Sequence, residues 1–437
     1  MTTFKSAMDS QATLKERFVW LVYMGVVFFL LYGAANEFAS INAPHLSIFF
    51  DWEKHIAFLP PFIVPYMSSD LVFVVAFLLA QTRLEIRVLA LRVLFIVVFS
   101  VLIFVLFPLQ FSFDKPAIES FTFLFKLLEA DKPFNQLPSL HVSFSIVFWF
   151  SMKDHMPNRL LKIALGCWLM LIVLSTLFVF QHHFIDIPSG FLVGMLAVYL
   201  FREGRNEQLL NKFMTPRHLK MGLYFLALST VLMILSFTVS ALFIYFFLSV
   251  FSVSIVYAFG LNNLLVTADG KVSYLQWLLF GPYFLGSKIS WMFYKRSLPL
   301  LAKVDDGVYI GRHPSINEYT QIRTLGIKQV INLAMELQLN KTDLIQHRLN
   351  FLDQTIQNPV ALHQAVLLIE SNKSDGIYVH CALGLSRSVL VVWAWMIFNG
   401  KTEKEIKARL EEIRPRYVQS KYMQVNIDLY TDFLQNY

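Results

Sequence analysis

The sequence predicts a polytopic all-α membrane domain of about eight transmembrane helices joined to a C-terminal α/β domain. Three observations predict it. Hydrophobic residues make up 56% of the 437 positions and charged residues only 15%, far from the balance of an ordinary soluble domain. Apolar runs long enough for the hydrocarbon core of a bilayer, which takes about 20 helical residues, recur through the N-terminal 260 positions. From residue 300 onward the chain is polar enough to be soluble and alternates short β-branched runs with stretches of helical periodicity.

The eight runs lie near 18–35, 62–80, 88–107, 141–152 extended by its flanks, 160–180, 185–201, 219–237 and 239–260. Lys15 and Arg17 precede the first and Ala34-Ala35 follow it, but its apolar stretch is longer than a signal-peptide core, so it reads as an uncleaved anchor. Lys5, Lys15 and Arg17, then Arg83, Arg87 and Arg92, then Lys153, Arg159 and Lys162, then Arg202, Arg205, Lys212, Arg217 and Lys220 fall in alternate connections. The other side holds Lys54, Lys115, Lys126 and Lys132. Positive charge is retained on the cytoplasmic side, so the N-terminus is expected there. The net charge of +7 then faces anionic lipid rather than nucleic acid.

The stretch 274–296 is ambiguous: Gly281-Pro282 interrupts it, Lys288 sits inside it, and Trp277, Tyr283, Trp291 and Tyr294 are residues favoured at interfaces. It reads as lying on or dipping into the inner leaflet; a crossing there would move everything after it outside. The resulting divisions are a cytoplasmic N-terminus (1–17), a transmembrane domain (18–218), additional helices with an interfacial segment (219–299) and an α/β domain (300–437). Within the last, 307–311, 329–333 and 376–380 read as buried strands and 359–372, 387–398, 402–413 and 418–435 as helices. Cys167 and Cys381 are the only cysteines, so no disulfide framework is available, and Cys167, within an apolar run, is expected to be a small buried thiol.

"VHCALGLSRS" (379–388) follows one predicted strand and precedes a helix. A loop there turns backbone N–H groups and a helix N-terminus toward one point, a cradle for phosphate formed by Ala382, Leu383, Gly384, Leu385 and Ser386. The same field stabilises a thiolate at Cys381. Arg387 can pair bidentately with phosphate oxygens, and Ser388 can hydrogen-bond the sulfur. A buried strand-end thiol with a surface arginine is the structural alternative.

His380-Cys381-x5-Arg387-Ser388 resembles the signature of the cysteine-dependent tyrosine phosphatases, and "VYIGRHPS" (308–315), "LGIKQVINL" (325–333) and "RLNFLDQTIQNP" (348–359) look like the dual-specificity branch. The resemblance covers nearly all of 300–437. It implies attack by Cys381 to form a phosphocysteine, with Asp353 first protonating the leaving group and then activating water.

In the apolar part, Pro138-Ser139-Leu140-His141 begins one run and His182-x3-Asp186 another. Helical spacing of four would put His182 and Asp186 on one face, where the carboxylate fixes the imidazole tautomer and leaves the other nitrogen free for attack. His183 then points elsewhere. The set is poor in ligands for a metal, and no metal or other cofactor is expected. Ionisable groups at the edge of a span are costly enough to suggest function, a hydrogen-bonded helix-packing cluster being the alternative.

"PSLH" and "HHFID" resemble two motifs of the type 2 phosphatidic acid phosphatase superfamily, whose cores have six transmembrane helices. That likeness implies His182 as nucleophile, Asp186 as its orienting partner, His141 as acid for the leaving group and Ser139 as a phosphate contact. Two departures stand out. Ser175-Thr176 replaces the family's Ser-Arg, and its KxxxxxxRP motif is absent, Lys126-x5-Lys132-Pro133 being a weak echo with different spacing. Loss of the arginine and the double histidine look more like the inositol phosphorylceramide synthase branch, which transfers head groups from phosphodiesters.

The expectation is therefore a bifunctional enzyme of a bacterial inner membrane: a cytoplasmic cysteine phosphatase joined to an outward-facing lipid phosphatase or phosphotransferase site. Membrane lipids and a phosphoprotein or phospholipid head group are the expected partners. Ala382, Leu383 and Leu385 give the cradle no lysines, which favours protein or simple monoester substrates over highly charged inositol phosphates. The alternatives are an inert membrane anchor, or a C-terminal domain that reads phosphate without hydrolysing it.

Overall fold

A computed structural model describes residues 11–129, 131–201, 215–266, 272–337 and 342–436, the side chains of Asn263 and Leu275 excepted. Lys5, Arg202, Arg205 and Lys212, on which part of the charge asymmetry rests, lie outside the described residues. The chain forms two compact units, Met1–Asn211 and Lys212–Tyr437.

In the first unit each apolar run is a helix: Leu14–Ile41, Ile63–Leu79, Arg83–Leu106, Leu140–Met152, Arg159–Phe178 and Asp186–Leu200. Polar caps set several starts. Thr13 forms a capping box with Glu16, Thr82 accepts from the Glu85 N–H and Asn158 from the Leu161 N–H. Among the described residues of the whole chain, five helices are long and apolar enough to cross a membrane: Leu14–Ile41, Pro60–Leu79, Arg83–Leu106, Arg159–Phe178 and Pro216–Thr238. Leu140–Met152, Asp186–Leu200 and Phe243–Phe259 have 13, 15 and 17 residues. At about 1.5 Å rise per residue these reach roughly 20–26 Å, less than the hydrocarbon thickness.

The connections of this unit sort to two ends. At one, Arg83 pairs with Glu16 at 2.7 Å, Arg17 Nη1 donates to the Leu78 carbonyl at 2.9 Å and His155 lies 3.1 Å from Glu85. At the other, Asn36 donates to the Lys132 carbonyl at 3.1 Å and the Ser139 N–H to the Asp186 carbonyl at 3.2 Å. Cys167 is exposed rather than buried, because it faces out from the Arg159–Phe178 helix, whose apolar positions are mostly unburied and suit contact with lipid.

The second unit begins with the helices Pro216–Thr238, Phe243–Phe259 and Tyr274–Tyr294. The ambiguous 274–296 stretch is thus one helix running through Pro282. Five strands follow: β1 Leu301–Asp305, β2 Val308–Arg312, β3 Gln329–Ala334, β4 Ile345–Phe351 and β5 Ile377–Cys381. Their order is β1-β2-β5-β3-β4, antiparallel only between β1 and β2. β3 and β5 are buried along their whole length, and the helices Pro359–Asn372 and Arg387–Phe398 pack with them in one core. β5 is central, so Cys381 emerges at the carboxyl end of a parallel strand, where open α/β sheets place ligands.

Candidate active site

The 381–387 loop connects β5 to the N-terminus of the Arg387–Phe398 helix, so helix dipole and loop amides converge on one point. The Gly384 N–H donates to Cys381 Sγ at 3.3 Å, and Ser388 Oγ lies 3.4 Å from the same sulfur. Gly384 has φ +73°, and a Cβ there would stand 2.6 Å from the Gly311 carbonyl carbon. Only glycine therefore lets the loop close over β2. Burial pushes His380 well below the usual histidine range, so this ring next to Cys381 is neutral and serves packing.

Arg387 is fully buried and held from three sides. Its Nη1 donates to the carbonyls of Leu333 (3.0 Å) and Phe351 (3.1 Å) and to Glu336 Oε2 (2.9 Å), while Nη2 donates to Glu336 Oε1. Nε lies 3.2 Å from Asp353 Oδ1. Burial raises the Asp353 carboxyl above the ordinary range; Arg387 partly offsets this, and Glu336 adds to it. Glu336 goes the other way, since Arg387 outweighs the burial that opposes its charge. Cys381, Arg387, Ser388 and Asp353 are thus brought together as the motif spacing predicts. Glu336 was not anticipated, although its place just beyond a buried parallel strand is where site residues collect.

In the first unit, His182 Nδ1 lies 3.1 Å from Asp186 Oδ2, and the His182 and His141 rings are 6.1 Å apart. The pair does not form on a helix face as expected. His182 precedes the helix, Asp186 is its first residue, and the Asp186 carboxylate also accepts the His183 N–H at 3.0 Å. Pro188 explains the late start, because proline donates no backbone hydrogen bond and is tolerated only in a first turn. His141 and His182 meet because Gly190 and Gly194 let two helices approach closely: a Cβ at Gly190 would lie 2.5 Å from the Ser139 carbonyl oxygen. Ser143 Oγ donates to the Gly190 carbonyl at 2.9 Å across the same seam.

His183 belongs to another network. Its Nδ1 lies 3.2 Å from buried Glu53, its Nε2 lies 3.1 Å from Ser47 Oγ, and Phe111 stacks on its ring. Tyr66 stacks on His141 at 4.2 Å, and Asp131, held by the Tyr32 hydroxyl at 2.9 Å, acts electrostatically with both His182 and Lys115. Tyr66, Glu53 and Asp131 escaped the sequence reading because a lone polar residue in a loop or an apolar run carries no spacing signal. Lys132 pairs with exposed Glu37, in keeping with a polar loop.

Residues 308–429 match the family model described as "Dual specificity phosphatase, catalytic domain". Solved structures similar to this chain include Tk-PTP in its active form (19% identity, TM-score 0.29), covering 31% of this chain and 97% of that one. PTPMT1 in complex with PI(5)P matches at 19% identity and TM-score 0.29, covering 32% and 99%. Human DUSP28 matches at 17% identity and TM-score 0.29, covering 31% and 99%. No curated protein matches the chain. The matched span contains Cys381, Arg387, Asp353 and Glu336, and over residues 308–429 the chain carries a catalytic domain of the dual specificity phosphatase family.

Proposed function

We propose that the C-terminal domain hydrolyses phosphoric monoesters through a phosphocysteine. The observation that carries this is the convergence of the Gly384 N–H and Ser388 Oγ on Cys381 Sγ, with Arg387 and Asp353 paired beside them. The 382–386 amides and Arg387 bind the phosphate oxygens, and the Cys381 thiolate attacks phosphorus. The bond to the ester oxygen breaks, and Asp353 gives that oxygen its proton. A bound phosphate dianion beside Asp353 raises its carboxyl further and keeps it protonated for this step. Water then attacks the phosphocysteine, Asp353 takes the water's proton, and thiolate and inorganic phosphate separate. Full-length protein is expected to release phosphate from p-nitrophenyl phosphate, and Cys381→Ser to abolish the release. Binding of phosphate esters without turnover in the wild type would leave a phosphate reader instead.

A second activity is supported by the His182–Asp186 contact and the facing His141 ring. His182 Nε2 attacks the phosphorus of a lipid phosphate or phosphodiester while Asp186 holds its Nδ1, the bond to the ester oxygen breaks and His141 protonates the leaving alkoxide. Water or an acceptor alcohol, losing its proton to His141, then takes the phosphoryl group from His182. The alternation of Lys and Arg between connections supports an N-terminus and phosphatase domain on the cytoplasmic side of a bacterial inner membrane, with the histidine site outside. Lipid mass spectrometry on cells carrying wild type or His182→Ala tests the site. A lipid that changes only in the variant supports it, and identical lipid profiles reduce the first unit to an anchor.

A further inference from the structure

The cysteine site is built against apolar helices, and we infer that its substrate is a membrane phospholipid ending in a phosphate monoester, drawn from the leaflet those helices enter. The inference rests on the cysteine-phosphatase reading above and names the substrate class of that site.

The segments around Cys381 meet the helices that open the second unit and the short Asn262–Leu265 helix between them. Buried Trp291 of the Tyr274–Tyr294 helix packs with Ala382 and Leu383 of the phosphate loop, and its Nε1 donates to the His313 carbonyl at 2.8 Å. Leu352 and Met335, which adjoin Asp353 and Glu336, share a cluster with Tyr257, Phe280 and Phe284. The Asn262 side chain donates to the Asn350 carbonyl at 2.7 Å. Arg217, in the first turn of the Pro216–Thr238 helix, donates through Nε to the Gln354 carbonyl at 2.9 Å. Its guanidinium lies 4.8 Å from the Tyr422 ring, whose hydroxyl is 2.8 Å from Ser386 Oγ.

The outer faces of these helices are apolar and unburied. Leu228, Val231 and Ile234 on Pro216–Thr238 and Leu285, Ile289 and Met292 on Tyr274–Tyr294 recur at helical spacing and are each about half exposed. Such faces suit lipid, and Pro216–Thr238 is long and apolar enough to cross a bilayer. The site thus stands against helices whose faces suit a membrane, with Arg217 in the first turn of one of them. Cations and tyrosines at helix ends sit at head-group level, so Arg217 and Tyr257 are suited to an anionic head group, while Tyr283 stands midway along Tyr274–Tyr294. The two tyrosine hydroxyls are 3.2 Å apart. The acyl chains of such a substrate remain in the bilayer, so the pocket has only to take the phosphate, and the lysine-free cradle fits a single monoester. The reaction consumes one water and gives the lipid alcohol and inorganic phosphate.

The test uses full-length protein carrying His182→Ala, so that the histidine site cannot contribute, in mixed micelles of detergent and dioleoyl phosphatidate. Phosphate release is compared with that from glycerol 3-phosphate, a phosphotyrosyl peptide and p-nitrophenyl phosphate, and with the His182→Ala/Cys381→Ser double variant. The expected result is a kcat/KM for phosphatidate at least tenfold above those for glycerol 3-phosphate and the peptide, a rate set by surface mole fraction, and silence of the double variant. Faster turnover of the peptide, or hydrolysis of p-nitrophenyl phosphate without phosphatidate, overturns the lipid assignment and leaves the phosphatase reading intact. Silence on every substrate overturns both.

Discussion

At the scale of single residues, Asp353 and Glu336 are set apart by their environments. Both carboxyls stand beside Arg387, yet burial raises one and the ion pair lowers the other. Glu336 takes both Nη atoms of Arg387, whereas Asp353 meets only Nε, which leaves its other oxygen for the leaving group. Activity that needs protonated Asp353 is lost as pH rises through its raised pKa. Asp353→Asn is expected to lower kcat by about 10²–10⁴, the usual contribution of a general acid, and to remove that alkaline limb from the pH–rate profile. A profile of unchanged shape in the variant assigns the acid elsewhere. Glu336→Gln keeps the shape but leaves Arg387 buried with one charge fewer beside it, and losing a buried partner costs about 3–5 kcal/mol. Thermal unfolding of the C-terminal domain in that variant should shift down together with kcat/KM. The Cys381, Arg387 and Ser388 positions were legible because a short loop fixes their spacing; Glu336 was not, because its pairing with Arg387 spans 51 positions in sequence.

At the scale of elements, burial decided what could be read. β3 and β5 are buried throughout and stand out as continuous apolar runs, as does the core of β2. β1 (Leu301–Asp305) and β4 (Ile345–Phe351) are half-exposed edges carrying Lys303, His347 and Arg348, so composition hides them. The short Glu318–Thr324 helix, with seven residues, shows too little periodicity to be recognised. His182 and Asp186 lie together, but not on the helix face that their spacing assumes, since Pro188 delays the helix. Tight loops give sharp tests at this scale. Gly384→Ala adds a Cβ at φ +73° against the backbone of Gly311, so the loop must open and move its amides off the phosphate. The left-handed conformation alone costs about 1–2 kcal/mol for a residue with a side chain. Phosphate release is expected to fall at least tenfold while the domain stays folded by circular dichroism; an active Gly384→Ala enzyme contradicts the cradle.

At the scale of the whole molecule, composition alone separated an apolar N-terminal part from a polar α/β domain. It did not reveal that 212–299 belongs to the same compact unit as the phosphatase domain, because that grouping rests on contacts such as Asn262 with Asn350 and Arg217 with Gln354. Alternating positive charge gave the expected sidedness, although Arg87 and Arg92, counted with a connection, are buried within the Arg83–Leu106 helix. A periplasm-only reporter fused after Tyr437 is expected to be inactive and a cytoplasm-only reporter active; the reverse would move the phosphatase domain outside. The central claim is that Cys381 carries the phosphoryl group during turnover. Rapid quenching of the full-length protein during hydrolysis of p-nitrophenyl phosphate, followed by peptide mass spectrometry, tests it most directly. A phosphoryl group on the Cys381 peptide, absent from Cys381→Ser, is the predicted result, and turnover with the phosphoryl group on another residue would contradict it.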